Sequence, residues 1–164
     1  MTGTPGTGKT TATERLDTDL DVVHLNDVIE REGLTTGRDD ERDSLVADLD
    51  ALREWVGDRD DVLVESHLAH HLDADRVVVL RCHPETLDAR LRDRGEGATS
   101  AAENAESEAL DVVLSEAVER HGLDRVFEIE TTDSSPEDVA AEIERVIDGD
   151  REPSAGEVSY VEYL

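Results

Sequence analysis

Gly3 to Thr10 reads G-T-P-G-T-G-K-T: a glycine, four variable residues, then glycine, lysine and threonine. This spacing suits a loop that grips phosphate. Glycine reaches backbone conformations closed to other residues, so Gly3, Gly6 and Gly8 let successive N–H groups converge on phosphate oxygens. A helix beginning at about Lys9 adds its unsatisfied N–H groups and the positive end of its dipole. Lys9 would then reach the β- and γ-phosphates of a nucleoside triphosphate as a mobile charge. The Thr10 hydroxyl would ligate Mg2+, and Thr11 would contact the α-phosphate. The competing reading is a glycine turn capping a helix, with a lysine there by chance. Of the 16 cationic residues, however, Lys9 is the only lysine, and it stands where the motif requires one. The phosphate reading is the one adopted.

Three other groups could do chemistry. Glu65-Ser66-His67 ends a β-branched run, the place where open α/β sheets put ligand-handling residues. Glu65 could hold Mg2+ through water or orient an attacking group, and His67 could order a water or a phosphate oxygen. A strand end open to solvent explains these residues equally well. His67, His70 and His71 with Cys82 and His83 raise the reading of a metal cluster, but their spacing matches no standard zinc pattern. Arg81, Arg90, Arg92 and Arg94 form the one place in an acidic chain able to offset triphosphate charge. Arg94, beside a glycine-broken loop, is the best candidate for a phosphate clamp.

Positioning these groups requires alternating strands and helices. Asp21–Leu25, Asp61–Ser66, Arg76–Cys82 and Arg125–Glu130 read as short strands, the middle two buried on both faces. Between them the pattern predicts helices over Thr10–Leu16, Asn26–Glu32, Arg42–Val56, Pro84–Arg94 and Ser100–Arg120, then a last one capped by Ser135 and running through Ile147. The stretch G-L-T-T-G-R-D-D-E reads as a polar loop. Strands alternating with helices predict an α/β fold with a parallel sheet covered on both faces.

A chain of 164 residues is long enough for one core. No segment approaches the roughly 18 apolar residues of a membrane span, and no secretory signal is visible, so a cytoplasmic location is expected. The single cysteine, Cys82, provides neither an internal disulfide nor a structural zinc set. The 43 acidic against 16 basic residues leave a net charge of −27. Such acidity with few aromatics suits disorder, yet the apolar residues fall in ordered periodic segments and only the tail is expected to be loose. Adaptation to concentrated salt, where the Debye length falls to about 3 Å, explains the charge better. No basic stripe suits free nucleic acid, and with one lysine at position 9 an N-K-x-D guanine motif cannot exist.

Further motifs are T-G-T-P-G-T-G-K-T-T, H-L-N-D, G-L-T-T-G-R-D-D-E-R-D-S, E-S-H-L-A-H-H, V-L-R-C-H-P-E, and R-G with E-N-A-E. Together, from Thr2 to about Ile147, they resemble the adenylate kinase isoenzyme 6 family, P-loop nucleoside monophosphate kinases also tied to ribosome assembly. The resemblance implies a P-loop NTPase three-layer sandwich over residues 1–148, followed by a polar tail over 149–164. It implies that Gly6, Gly8, Lys9, Thr10 and Thr11 hold ATP, with Mg2+ as the accompanying ion. Residues 24–44 would bind the monophosphate, and residues 93–103 would form a lid carrying Arg94. Glu65 and His67 would match the family's acidic-x-His motif for phosphate transfer and ATP hydrolysis. AMP is the favoured acceptor, the platform ribosomal protein eleven of the small subunit a partner, and a monomer the expected state. An ATP-switched assembly factor and a small-metabolite kinase are the rival readings.

Two departures from the family pattern stand out. Its lid has an aromatic and a lysine where this chain has Glu96 and Ser100, and a lysine often stands where Ser135 does. In addition, only Met1 and Thr2 precede Gly3, although the fold places a strand there near the middle of the sheet. The first strand is therefore expected to be truncated, with ladder groups unpaired on both neighbours and a native β-branched run upstream. The tail E-V-S-Y-V-E-Y-L is a weak alternative for filling that gap.

Overall fold

In the computed structural model, which describes residues 1–164, strands are β1 (Asp21–His24), β2 (Thr35–Asp39), β3 (Ser44–Ala47), β4 (Val62–Glu65), β5 (Val77–Arg81) and β6 (Val126–Glu130). The helices are α1 (Lys9–Thr13), α2 (Leu25–Glu32), α3 (Leu49–Val56), α4 (Pro84–Asp93), α5 (Ala98–Ala109), α6 (Val112–His121) and α7 (Pro136–Ile147). No helix is long and apolar enough to cross a membrane.

Alternation along the central strands divides the core into layers. Val78 and Leu80 of β5, with Phe127 and Ile129 of β6, pack on Ala12 and on Val139, Ile143 and Val146 of α7. Val77 and Val79, with Val126, face Leu114 and Ala117 of α6. The result is the expected three-layer α/β sandwich of a P-loop fold. β1 pairs in parallel with β4, and β5 with β6.

Met1 and Thr2 join these two pairs. Thr2 N–H donates to Val78 O at 2.8 Å and Leu80 N–H to Thr2 O at 3.0 Å, while Ser66 N–H donates to Met1 O at 3.2 Å. The two residues thus supply ladder partners to both neighbours, which shortens the expected gap. Beyond them an apolar groove of about 730 Å³, lined by Val62, Val64, Val77 and Ile143, separates β4 from β5. The C-terminal tail does not enter this groove. It lies along the outer edge of β6, where Ser154 N–H donates to Val126 O and the Glu128 carboxylate accepts from the N–H groups of Gly156 and Glu157 at 2.7 and 2.8 Å. The tail, expected to be loose, is held.

Three helices differ from expectation. α1 stops at Thr13, where Arg15 and Leu16 switch to tighter i→i−3 bonds. The helix expected over Arg42–Val56 begins only at Leu49, capped by Asp48, whose side chain accepts from Ala51 N–H. Its first part is β3, paired antiparallel with the supposed loop as β2. Asp39 makes this hairpin by accepting from the N–H groups of Glu41 and Arg42, and Asp43 adopts a left-handed conformation. The helix expected over Ser100–Arg120 is divided between α5 and α6. Asp111 turns left-handed there and its carboxylate bonds the buried Arg81.

Candidate active site

The glycines of the loop are required by space as well as by conformation. A Cβ at Gly3 would lie 2.7 Å from Leu80 O, and one at Gly6 2.9 Å from Leu91 Cδ2. Gly8 has open space around it but a φ of 95°. The loop is tied down from below. Thr7 Oγ1 donates to Thr4 O, Thr131 Oγ1 donates to Thr7 O, and Thr4 Oγ1 donates to the buried Glu108 carboxylate. The N–H groups of Gly6, Gly8, Lys9, Thr10 and Thr11 donate to no protein group. A rigid loop with a row of free donors is an anion cradle. Phosphate fits it, and the exposed Thr10 hydroxyl is free to meet a cation carried with that phosphate.

Lys9 folds back over this loop, donating to Gly3 O at 2.7 Å and Thr4 O at 3.0 Å. Burial lowers its pKa to about 8, against the pull of the Glu65 and Glu108 carboxylates. Glu65 ends β4, is buried, and takes His24 Nδ1 at 2.8 Å. Beside it, Ser66 Oγ donates to Asn26 Oδ1. His67 follows in the turn after β4. Burial, and next the charge of Lys9, push it down to about 4, so the ring is neutral at ordinary pH. It can accept a proton in a hydrogen bond without bringing charge.

The four arginines separate. Arg81 is buried and spent on Glu108, Asp111 and Glu128. Arg90 donates to the carbonyl oxygens of Thr131 and Thr132, and Arg92 pairs with Asp88. The expected arginine patch therefore reduces to Arg94, at the end of α4. It is exposed, and its charge reaches Lys9, but it is held by Glu96 at 3.2 Å. Ser100 Oγ donates to the other oxygen of Glu96 at 3.1 Å. Glu96 and Ser100, the two departures from the family pattern, thus bond one another, and Glu96 holds Arg94.

A cavity of about 1020 Å³ opens beside the loop. Thr4, Pro5 and His67 form one wall, Glu41, Arg42 and Ser44 of the hairpin region a second, and residues from Glu96 to Asn104, in the turn after α4 and in α5, a third. Across its mouth Arg42 pairs with Glu103 at 3.8 Å. Of the sequence-chosen residues, Gly3, Gly6, Gly8, Lys9, Thr10 and Thr11 belong to the donor-lined loop and its helix, and His67 lines the adjoining cavity, whereas Glu65 and Arg94 do not line it. Cys82 and His83 belong to neither. Cys82 packs with Leu87, Leu91 and Ala101, and His83 caps α4 against Tyr160. Sequence reasoning missed Glu108 and Thr131, which hold the loop. Their partners lie about a hundred residues away, and nothing local marks them.

The glycine loop, the helix it opens and the parallel sheet behind it define a P-loop nucleotide-binding protein. Residues 1–111 match the family model described as an AAA domain. The chain is 65% identical over 164 residues to a protein of Natronomonas pharaonis named "Putative adenylate kinase", covering all of this chain and 98% of the relative. Proteins of the same name are 64% identical in Halobacterium salinarum, over all of this chain and 98% of the relative, and 41% identical in Methanothermobacter thermautotrophicus, over all of this chain and 97% of the relative. The chain belongs to the adenylate kinase family that these relatives represent.

Proposed function

We propose that this protein is an ATP-dependent nucleoside monophosphate kinase that transfers the γ-phosphoryl group of ATP to AMP, giving two ADP, with slow ATP hydrolysis when no acceptor is bound. The observation that carries the reading is the cavity sharing Thr4 and Pro5 with the donor-lined loop and closed by the hairpin and lid regions. A donor phosphate in the loop and an acceptor in the cavity would meet at their common wall. The acceptor's phosphate oxygen forms a bond to the γ-phosphorus as the bond to the ADP oxygen breaks. No proton need move at neutral pH, so the protein's task is positioning and charge stabilisation.

Gly3, Gly6 and Gly8 would shape the cradle, and Thr11 would add a contact at the α-phosphate. Lys9 would leave its two carbonyl partners to neutralise the transferred group, joined by Arg94 once Glu96 releases it. Mg2+ carried with the nucleotide would take the Thr10 hydroxyl and neutralise phosphate charge. Glu65, fixed by His24, and neutral His67 would orient a water in the acceptor's absence. The test is a coupled assay with Mg·ATP in multimolar KCl, comparing AMP, CMP, dAMP and small hydroxyl acceptors. AMP-dependent ADP formation is expected. Preference for a hydroxyl acceptor would make this a small-metabolite kinase. ATP hydrolysis indifferent to every acceptor would favour the second reading, an ATP-switched factor binding a partner such as the platform ribosomal protein. That reading has in its favour Leu45 and Val46, large apolar residues exposed on the hairpin.

The lid gives a further expectation. Exposed ion pairs are worth about 0.2–1 kcal/mol, so freeing Arg94 by replacing Glu96 with Phe and Ser100 with Lys should raise transfer by up to about fivefold. ATP affinity should change less. Equal turnover in parent and double variant would show that the Arg94–Glu96 pair imposes no restraint.

A further inference from the structure

Four of the six histidines, His67, His70, His71 and His121, gather where the turn after β4 meets α6. His70 is buried, and its Nε2 lies 2.8 Å from Glu116 Oε2. His71 Nε2 points at the same oxygen from 3.9 Å. The three ligand atoms lie within 4.8 Å of one another. We propose that His70, His71 and Glu116 form a binding site for a divalent transition metal of the Zn2+ class, separate from the magnesium that accompanies nucleotide.

The geometry suits such an ion. Ligands 2.0–2.1 Å from a tetrahedral zinc stand about 3.4 Å apart, and the two separations to Glu116, 2.8 and 3.9 Å, bracket that value. The adjustment falls on His71 and Glu116, whose side chains are 30% and 46% exposed and free to shift. His70, the buried member, is already oriented. Its Nδ1 meets Thr2 Oγ1 at 2.8 Å, and that hydroxyl reaches His67 O at 3.3 Å. With Nδ1–H donating to Thr2 Oγ1 and the Thr2 hydroxyl donating in turn to His67 O, Nε2 presents its lone pair to the ion. A ligating histidine fixed through its other nitrogen is the usual supporting arrangement. The backbone is fixed too, because His121 of α6 donates from Nε2 to His70 O at 2.8 Å. Two imidazoles and one carboxylate favour zinc, cobalt or nickel over magnesium, which prefers oxygen.

The pattern escaped the sequence because two ligands are adjacent and the third comes from α6, so no standard spacing arises. All three residues also line the cavity, leaving the fourth position of the ion open to it. None of the three is assigned a step in the proposed phosphate transfer, although all three line the cavity proposed for the acceptor.

The test uses the full chain, stripped with a chelator and kept in multimolar KCl with excess Mg2+. Zn2+ is titrated in competition with a chromophoric chelator, and Co2+ by visible absorption. One equivalent of Zn2+ should bind despite the magnesium, and Co2+ should give the intense visible band of a four- or five-coordinate site. H71A and E116Q should each weaken Zn2+ binding by about tenfold or more and remove the band, while the neighbouring E119Q should change neither. Circular dichroism establishes that each variant is folded. Absence of stoichiometric binding, displacement by Mg2+, or equal affinity in H71A, E116Q and E119Q would overturn the site.

Discussion

Replacing Lys9 with Ala is expected to lower phosphotransfer by about two orders of magnitude or more, the usual consequence of removing one preorganised charge from a phosphate site. Lys9 is the chain's only lysine and carries the only side-chain ammonium. In the free protein it rests on Gly3 O and Thr4 O, contacts easily exchanged for phosphate oxygens. The same residue should impose a pH dependence. Its pKa is lowered to about 8, so above that pH the free protein holds a neutral amine. Phosphate favours the ammonium, so ATP affinity should fall as pH rises through about 8 and level off below it. In Lys9→Ala this inflection should vanish. Steady-state turnover and ATP titrations from pH 6 to about 10 measure both effects. Full turnover in the variant would mean that the loop does not act on phosphate.

Arg81→Met should cost about 3–5 kcal/mol of stability, the range for removing one partner of a buried charge pair. For a domain of this size that corresponds to a fall in midpoint of about 6–20 °C. Arg81 lies on β5, is 1% exposed, and bonds Glu108 at 2.8 Å as well as Asp111 and Glu128. Methionine fills similar space but leaves two buried carboxylates without their cation. Adding Glu128→Gln should recover part of the loss, since it removes one of the stranded charges. Denaturation in high KCl, followed by circular dichroism, reads both. A loss below about 1 kcal/mol in the single variant would mean that the carboxylates take up protons or water at little cost.

The phosphate loop could be read from sequence because its chemistry is local. Glycine positions and one lysine within eight residues carry their own geometry, and the structure shows a Cβ excluded at Gly3 and Gly6. Strands were legible where both faces are buried, as in Val77–Arg81, since a short run dominated by β-branched residues suits them. Arg42–Val56 misled because Leu45, Val46, Leu49, Leu52 and Val56 fall at helical spacing although Leu45 and Val46 face solvent. Periodicity cannot tell an exposed apolar pair from a buried one. The use of Arg81 was hidden for a different reason. Its partners at 108, 111 and 128 come from α5, the turn between α5 and α6, and β6, and only the fold brings them to β5. The long helix breaks at one of those partners, Asp111, which is left-handed and bonds Arg81.

The cluster around Arg81 also separates two responses to the environment. Thr4 in the phosphate loop bonds Glu108, Glu108 bonds Arg81, Arg81 bonds Glu128, and Glu128 grips the backbone of the C-terminal tail. Mobile ions weaken interactions between exposed charges but reach buried ones poorly. The acidic exterior therefore responds to the salt concentration of the medium, whereas the line from loop to tail is largely insulated from it. As the medium concentrates or dilutes, the outer charges of the molecule feel the change while the shape of its phosphate cradle stays constant.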